Sequence, residues 1–573
     1  MIEKELLAVA RGDRPADRLF RNARLVDVLA GEIREAHVAV ARGRIAGFGA
    51  RDAREEIDLE GRYLAPGLID AHVHIESSLV VPSQFARAVV PRGVTTVITD
   101  PHEIANVLGL PGIRFMLRDG AGVPLEIFAN ASSCVPASPL ETSGASLDAE
   151  DLRSLLDEPR ILGLAEVMSF PAVVAGDDGV LAKLEAFTGR IVDGHCPGLS
   201  GPALDAYVAA GIGSDHECIR LEEAREKLRR GMTVFLREAT NARNLEELLP
   251  LVDERSERRL CLCTDDRTPA DLMDEGSIDH LLRKSLAAGV DPVIAFRLAT
   301  LNPAEYFRLP DRGAVAPGRR ADLVTFSDLR DPRIEEVYLA GSLVAEGGDP
   351  LFSVSPETDE TVRGTVEVDP ETLDLSLPAR GEGGRIRVIG IVPDQILTEE
   401  LHLSPTVEDG EIVADPDRDL LRIAVVERHR GSGRVGRGMV RGFGLRRGAV
   451  AGTVAHDHHN LIVIGADEES MRTANRAVVE TGGGLSVARD GEILARLPLP
   501  VAGLMSDRPV EEVRREMDRL LSAVRDLGSS LRDPFMAMSF LGLEVIPSLK
   551  ITDRGLVDAD RFEIVPLRVG ASS

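Results

Sequence analysis

A chain of 573 residues with 44% hydrophobic content has material for several cores, and with 3% aromatic residues and no Trp those cores must be built mainly from Leu, Val, Ile and Ala. A formal net charge of −27 repels phosphate backbones and anionic lipid, which argues against nucleic acid and membrane as partners but leaves a small neutral base open. The opening stretch MIEKELLAVARGDRPADRLF has no long apolar core, no later segment reads as a membrane span, and five cysteines are few and odd in number, so a cytoplasmic protein without a disulfide framework is expected.

In chain order, residues 1–65 carry short alternating pieces such as HVAVARGRIAGFG and EEIDLEGRYLAPG, which read as strands joined by Gly-containing turns. The same texture returns over 308–360, at GAVAPGRRADLVTFSD and EEVYLAGSLVAEGG. Two β segments flanking a long insert predict one small β-sandwich assembled from both.

The insert, 66–307, alternates β-like runs with amphipathic stretches of helical spacing. The runs are GLIDAHVHIE, VTTVITDPHE, LEIFANASS, ILGLAEVMS, RIVDGHCPG, GIGSDHE, MTVFLREAT and RLCLCTDD. Eight such units in about 240 residues predict a (β/α)₈ TIM-type barrel, an α/β fold with its chemistry at the carboxyl ends of the strands. Polar residues gather at those ends: His72 and His74, Asp100 with His102, Glu166, His195, Asp215 with His216 and Glu217, Arg237, and Asp265 with Asp266. Side chains two apart on a strand share a face, so His72 and His74 aim at one point. Together with His195, His216, Glu166 and Asp265 they suffice for two divalent ions sharing one bridging carboxylate, and imidazole with carboxylate suits Zn, Mn or Fe. Cys261 and Cys263 read as buried packing in the last strand.

The final region, 361–573, begins with a polar stretch and then reads as an α+β domain, with strands at RIAVVERH and NLIVIG and a hairpin at Asp490 and Gly491. Its clearest helix begins after Ser506 and Asp507, with Pro509 in the first turn and Val510, Val513, Met517, Leu520, Leu521 and Val524 on one face. The run AHDHHN at His456–Asn460 reads as a turn capped by Asp457, as a further metal site, or as a segment reaching over the barrel mouth, the capped turn being favoured.

PGLIDAHVH with later strand-end His, His and Asp resembles the amidohydrolase superfamily of metal-dependent barrel hydrolases. HVHIESS, DPHEIANVLG, GHCPGL, SDHE and VAHDHHNLIVIG resemble the bacterial adenine deaminase family within it. The resemblance runs over nearly the whole chain and implies a dinuclear enzyme, loaded with Mn(2+), Fe(2+) or Zn(2+), that converts adenine to hypoxanthine and ammonia. It also implies that His72, His74 and Asp265 hold one ion, His195 and His216 the other, and Glu166 bridges. Many superfamily members bridge with a carboxylated lysine, whereas GLAEVMSF offers only Glu166.

A pair of divalent ions would lower the pKa of a shared water toward about 7, supplying hydroxide for attack at C6 of adenine. Glu217 is then the expected acid for N1 and Asp265 the shuttle to the leaving amine. Arg237 is read as contacting a ring nitrogen or pairing with Glu238, and it is assigned with the family-matched Ser77 to substrate binding. Asp100 and His102 either orient His72 or hold an extra ion, with a capped strand-to-helix turn preferred. His37, His280, His402 and His429 read as ordinary residues. A homo-oligomer, a dimer, is expected. The competing functions are a cyclic-amide hydrolase of the dihydropyrimidinase kind and a non-catalytic scaffold.

Overall fold

Each of the eight predicted runs contributes a parallel strand: β1 (Leu68–Val73), β2 (Val94–Thr99), β3 (Glu126–Ala131), β4 (Ile161–Val167), β5 (Ile191–Gly194), β6 (Ser214–Asp215), β7 (Thr233–Arg237) and β8 (Leu260–Cys263). The computed structural model describes residues 4–379, 384–393 and 395–570. β1 to β5 pair in sequence order, as do β6 to β8. Closure comes from Val73 bridging Asp265 in parallel and from Gly213 N donating to Val192 O at 2.9 Å. The result is the (β/α)₈ barrel. Both faces of a parallel barrel strand are covered, which is why β1, β2 and β8 are buried at every position, with Cys261 and Cys263 among them as free, packed thiols. Close strand approach also dictates Gly163 in β4, where a Cβ would stand 2.2 Å from the carbonyl oxygen of Ile191.

The flanking β segments form one nine-stranded sheet. Tyr63–Pro66, just ahead of β1, pairs antiparallel with Leu323–Phe326, which follows the last barrel helices, in the register Val324↔Ala65. The sheet curls around its own core of Phe20, Leu25, Val38, Ile45, Leu323 and Tyr338.

Further along, an eight-stranded sheet carries a helix layer on each face. Strand alternation splits its side chains. Val450, Ile462, Ile464 and Val487 pack with Val513, Met517 and Leu520 of the helix Val510–Asp526, whereas Ala449, Ala451, Leu461 and Val463 pack with Met471, Ala474 and Val478 of the helix Glu468–Glu480. Pro509 is the N-cap rather than a first-turn residue, and Leu521 is only half-buried, so the apolar stripe is one residue narrower than its sequence pattern. The hairpin at Asp490–Gly491 is present, with Arg489 opposite Glu492. The helix Val510–Asp526 also touches the barrel, where Arg87 Nη2 meets Glu511 Oε1 at 2.7 Å and Arg514 Nη2 meets Asp274 Oδ2 at 2.7 Å. Among the described residues no helix is long and apolar enough to cross a membrane.

Candidate active site

The carboxyl ends of the barrel strands converge as the strand period requires. His72 and His74, both facing inward from the end of β1, bring their Nε2 atoms to 3.1 Å. Two like ring nitrogens so close are poorly matched partners for each other and well matched to a shared cation. His74 Nδ1 faces the carbonyl oxygen of Asp100 at 3.0 Å, which leaves its Nε2 lone pair pointing into the site. Burial, reinforced by the neighbouring His216 and His74, lowers the His72 pKa well below the ordinary range, whereas for His74, His195 and His216 burial is outweighed by the surrounding carboxylates, which raise their pKa values.

Glu166, at the end of β4, divides its two oxygens between two groups of histidines. Oε1 lies 3.3 Å from His74 Nε2 and 3.8 Å from His72 Nε2. Oε2 lies 2.7 Å from His195 Nδ1 and 3.2 Å from His216 Nε2. Asp265 joins the first group, its Oδ1 3.2 Å from His74 Nε2. Burial would raise the pKa of both carboxylates, but His216, His195 and His74 hold Glu166, and His74 and Arg237 hold Asp265, well below the usual carboxylate range, so both are ionised. Four imidazoles and two ionised carboxylates, buried except for half-buried His195, make a donor set that fits two divalent transition ions.

The remaining expected residues lie around this set. Arg237 does not pair with Glu238: adjacent strand residues face opposite sides, and Glu238 instead accepts from Lys284 Nζ at 2.7 Å. The Arg237 guanidinium faces inward, gripping Glu217 with both terminal nitrogens and donating to Asp265 Oδ2 at 2.9 Å. Glu217 Oε1 is 3.6 Å from His216 Nε2. Ser77 donates to Asp266 Oδ1, next to Asp265. Of the set-aside histidines, His37 accepts from a backbone N–H on the surface sheet and His402 pairs with Glu400, but His429 is drawn into the inter-domain network through the carbonyl oxygen of His458.

Two features were not legible from motifs. Lys227, from a helix that reads as a charged surface segment, is fully buried and donates to Asp215 Oδ2 at 3.0 Å and the Cys196 carbonyl at 2.7 Å, tying together the turns that carry His195 and His216. The C-terminal region also supplies a wall of the site. His456, Asp457, Met536, Phe540, Leu543, Ile546 and Ile396 border the cavity over the metal-type cluster. Residues 456–458 do form a turn, with His459 N–H donating to the Ala455 carbonyl at 2.7 Å, and the segment also reaches over the barrel mouth: Asn460 Nδ2 donates to Glu141 Oε1 at 2.7 Å and to the Thr142 carbonyl at 2.9 Å on the barrel side. The inner cavity shares Glu217, Arg237 and Ile396 with an outer cavity of about 1210 Å³ between barrel loops and C-terminal segment, which supplies a route for a small molecule.

Residues 63–344 match the amidohydrolase family, and residues 395–563 match the adenine deaminase C-terminal domain. Adenine deaminase from Desulfatibacillum aliphaticivorans is 50% identical over 99% of this chain and 100% of its own length. The chain belongs to the adenine deaminase family. Adenine deaminase 2 from Carboxydothermus hydrogenoformans is 48% identical over 98% of this chain and 99% of its own length, and the adenine deaminase of Methanothrix thermoacetophila is 48% identical over the same shares. The amidohydrolase family is metal-dependent, and the clusters around Glu166 are the candidate ligands here.

Proposed function

We infer that this protein hydrolyses adenine to hypoxanthine and ammonia at the barrel mouth. The observation that carries the reading is the division of Glu166 between the His72/His74 pair and the His195/His216 pair, with Asp265 completing the first group. We propose that these six residues hold two Mn(2+) or Fe(2+) ions, with Zn(2+) the alternative, since the donors are nitrogen and oxygen without thiolate. Bound there, such ions lower the pKa of water toward about 7 and so make hydroxide available near neutral pH.

Addition of a water oxygen at C6 of adenine breaks the ring's aromaticity and moves an electron pair onto N1, so N1 must gain a proton. The exocyclic amine must gain another before the C6–N bond breaks and ammonia leaves. Glu217, buried at the cavity and oriented by Arg237, is the proposed proton donor to N1, and it regains its proton from the C6 hydroxyl as the C6–N bond breaks. Asp265, ionised with Oδ2 fixed by Arg237, is the proposed acceptor of the water proton and its carrier to the amine. Arg237 thus sets the spacing of the two proton-handling groups, and Ser77 steadies the adjacent Asp266. Met168, Phe540, Leu543 and Ile546 give the cavity apolar surface for a flat purine.

The test is to supply manganese-loaded protein with adenine, adenosine and dihydrouracil in parallel. Conversion of adenine with release of ammonia, far more efficient than that of adenosine, is expected. Opening of dihydrouracil with adenine untouched would transfer the site to the cyclic-amide hydrolases.

A further inference from the structure

Next to the Glu166 centre a second set of donor atoms converges, two from the segment after β2 and two from the C-terminal loop. His102 Nε2 stands 3.4 Å from Glu103 Oε1 and 3.7 Å from Asp457 Oδ1. His456 Nδ1 stands 2.6 Å from the same Glu103 oxygen and 3.9 Å from the same Asp457 oxygen. Ligands about 2.0–2.2 Å from a tetrahedral ion are separated by roughly 3.3–3.6 Å, so the three longer separations are near those of one coordination shell, and the His456–Glu103 contact, a hydrogen bond in this structure, would open by about 0.7 Å to admit an ion.

The surroundings select the same four atoms. His102 Nδ1 lies 3.2 Å from Asp100 Oδ2, the carboxylate–histidine arrangement that fixes a tautomer and leaves Nε2 free to ligate. Asp100 is itself held by Ser132 Oγ at 2.8 Å. His459 is excluded as a ligand: its Nδ1 accepts from the Ala455 N–H at 3.2 Å, so its Nε2 carries the proton and donates to Glu103 Oε2. That bond orients Glu103 and leaves Oε1 for a cation. Asp457 Oδ2 and His456 Nε2 are buried with no hydrogen-bond partner, although each residue is 3% exposed and both border the cavity. A buried carboxylate with a bare oxygen is costly unless a cation sits on the group.

We propose that His102, Glu103, His456 and Asp457 bind a third divalent transition-metal ion, distinct from the pair at Glu166, which fastens the C-terminal domain to the barrel mouth. With Nδ1 of His456 on this ion, its Nε2 keeps a proton and is available to a purine nitrogen in the cavity. The ion would add to direct contacts already made by this loop with the barrel, His459 Nε2 with Glu103 Oε2 and Asn460 Nδ2 with Glu141 Oε1.

The experiment loads wild type, Asp457→Ala, Asp100→Asn and His195→Ala with manganese(II), removes free metal, counts bound manganese and locates it by anomalous scattering from crystals of the wild type. Three ions per wild-type chain are expected, with one anomalous peak among the four donors. Asp457→Ala should lose that ion and keep the other two. Asp100→Asn should keep its fold and weaken one ion about 10–100-fold, and His195→Ala should deplete only the Glu166 centre. Two ions at the Glu166 centre with no density among the four donors would overturn the proposal. So would an Asp457→Ala protein with the full wild-type count, or a purine-bound crystal in which these donors contact only the base.

Discussion

Lys227→Met removes one cation from the interior and leaves two carboxylate partners behind, the fully buried Asp215 at 3.0 Å and the more exposed Glu223 at 2.8 Å. The Lys227 ammonium is fully buried, and Asp215 beside it is equally buried while accepting from the N–H groups of Cys196 at 2.8 Å and Glu217 at 3.1 Å. Burial alone would raise the Asp215 pKa, yet Lys227 and then His216 hold it below the usual carboxylate range, so the charge at Asp215 depends on Lys227. Removing one member of such a pair costs about 3–5 kcal/mol, because the remaining ion has no compensation, whereas removing both is often near neutral. Lys227→Met should therefore melt well below wild type and bind metal poorly at His195 and His216, whose turns Asp215 organises. The double variant Lys227→Met/Asp215→Asn should recover part of the melting temperature. Thermal melts followed by circular dichroism, with metal content on the same samples, decide it. A single variant that melts with wild type, or a double variant less stable than the single, would refute the reasoning.

Glu217→Gln should retain metal and adenine affinity while kcat falls by about 10²- to 10⁴-fold, as expected on losing a general acid; single-turnover rates beside metal content check this, and rate loss in proportion to metal loss would move the acid role elsewhere, to Asp266. Glu166→Gln should instead lose metal from both histidine pairs, with residual activity tracking occupancy. Lys550 is fully buried and donates to the carbonyls of Ile396 and Phe540 at 2.8 and 2.9 Å; burial, only partly offset by Glu544, lowers its pKa to about 7. Its folded pKa lies below its unfolded one, so the unfolded chain binds more protons between pH 7 and about 10 and stability rises with pH there, by up to about 1.4 kcal/mol per unit. Melts of wild type and Lys550→Met from pH 6 to 9 should show this slope in wild type only.

The barrel could be read from the sequence because each strand is short, apolar and ended by a polar residue, and the period of two on β1 was enough to pair His72 with His74. Barrel closure, once eight strands were counted, called for two ions and one bridging carboxylate; that Glu166 should be the bridge between the two histidine pairs came from the resemblance to the adenine deaminase family. What could not be read depends on packing between distant segments. Lys227 lies in LEEAREKLR, a pattern of an exposed helix, and only the turn at Cys196 reveals its burial. Arg237 pairs inward because Glu238 must face outward, a matter of which strand face meets the barrel interior. The loop at His456 reaches the barrel through Asn460, Glu141 and Thr142, residues more than three hundred positions apart with no shared local pattern.

The most direct measurement uses manganese-loaded protein, adenine and oxygen-18 water. The account predicts one solvent oxygen in each hypoxanthine and one ammonia for each adenine consumed, with both signals lost in His195→Ala and His216→Ala. Fully metal-loaded wild type that leaves adenine unchanged, or ligand variants that turn over at the wild-type rate, would contradict it.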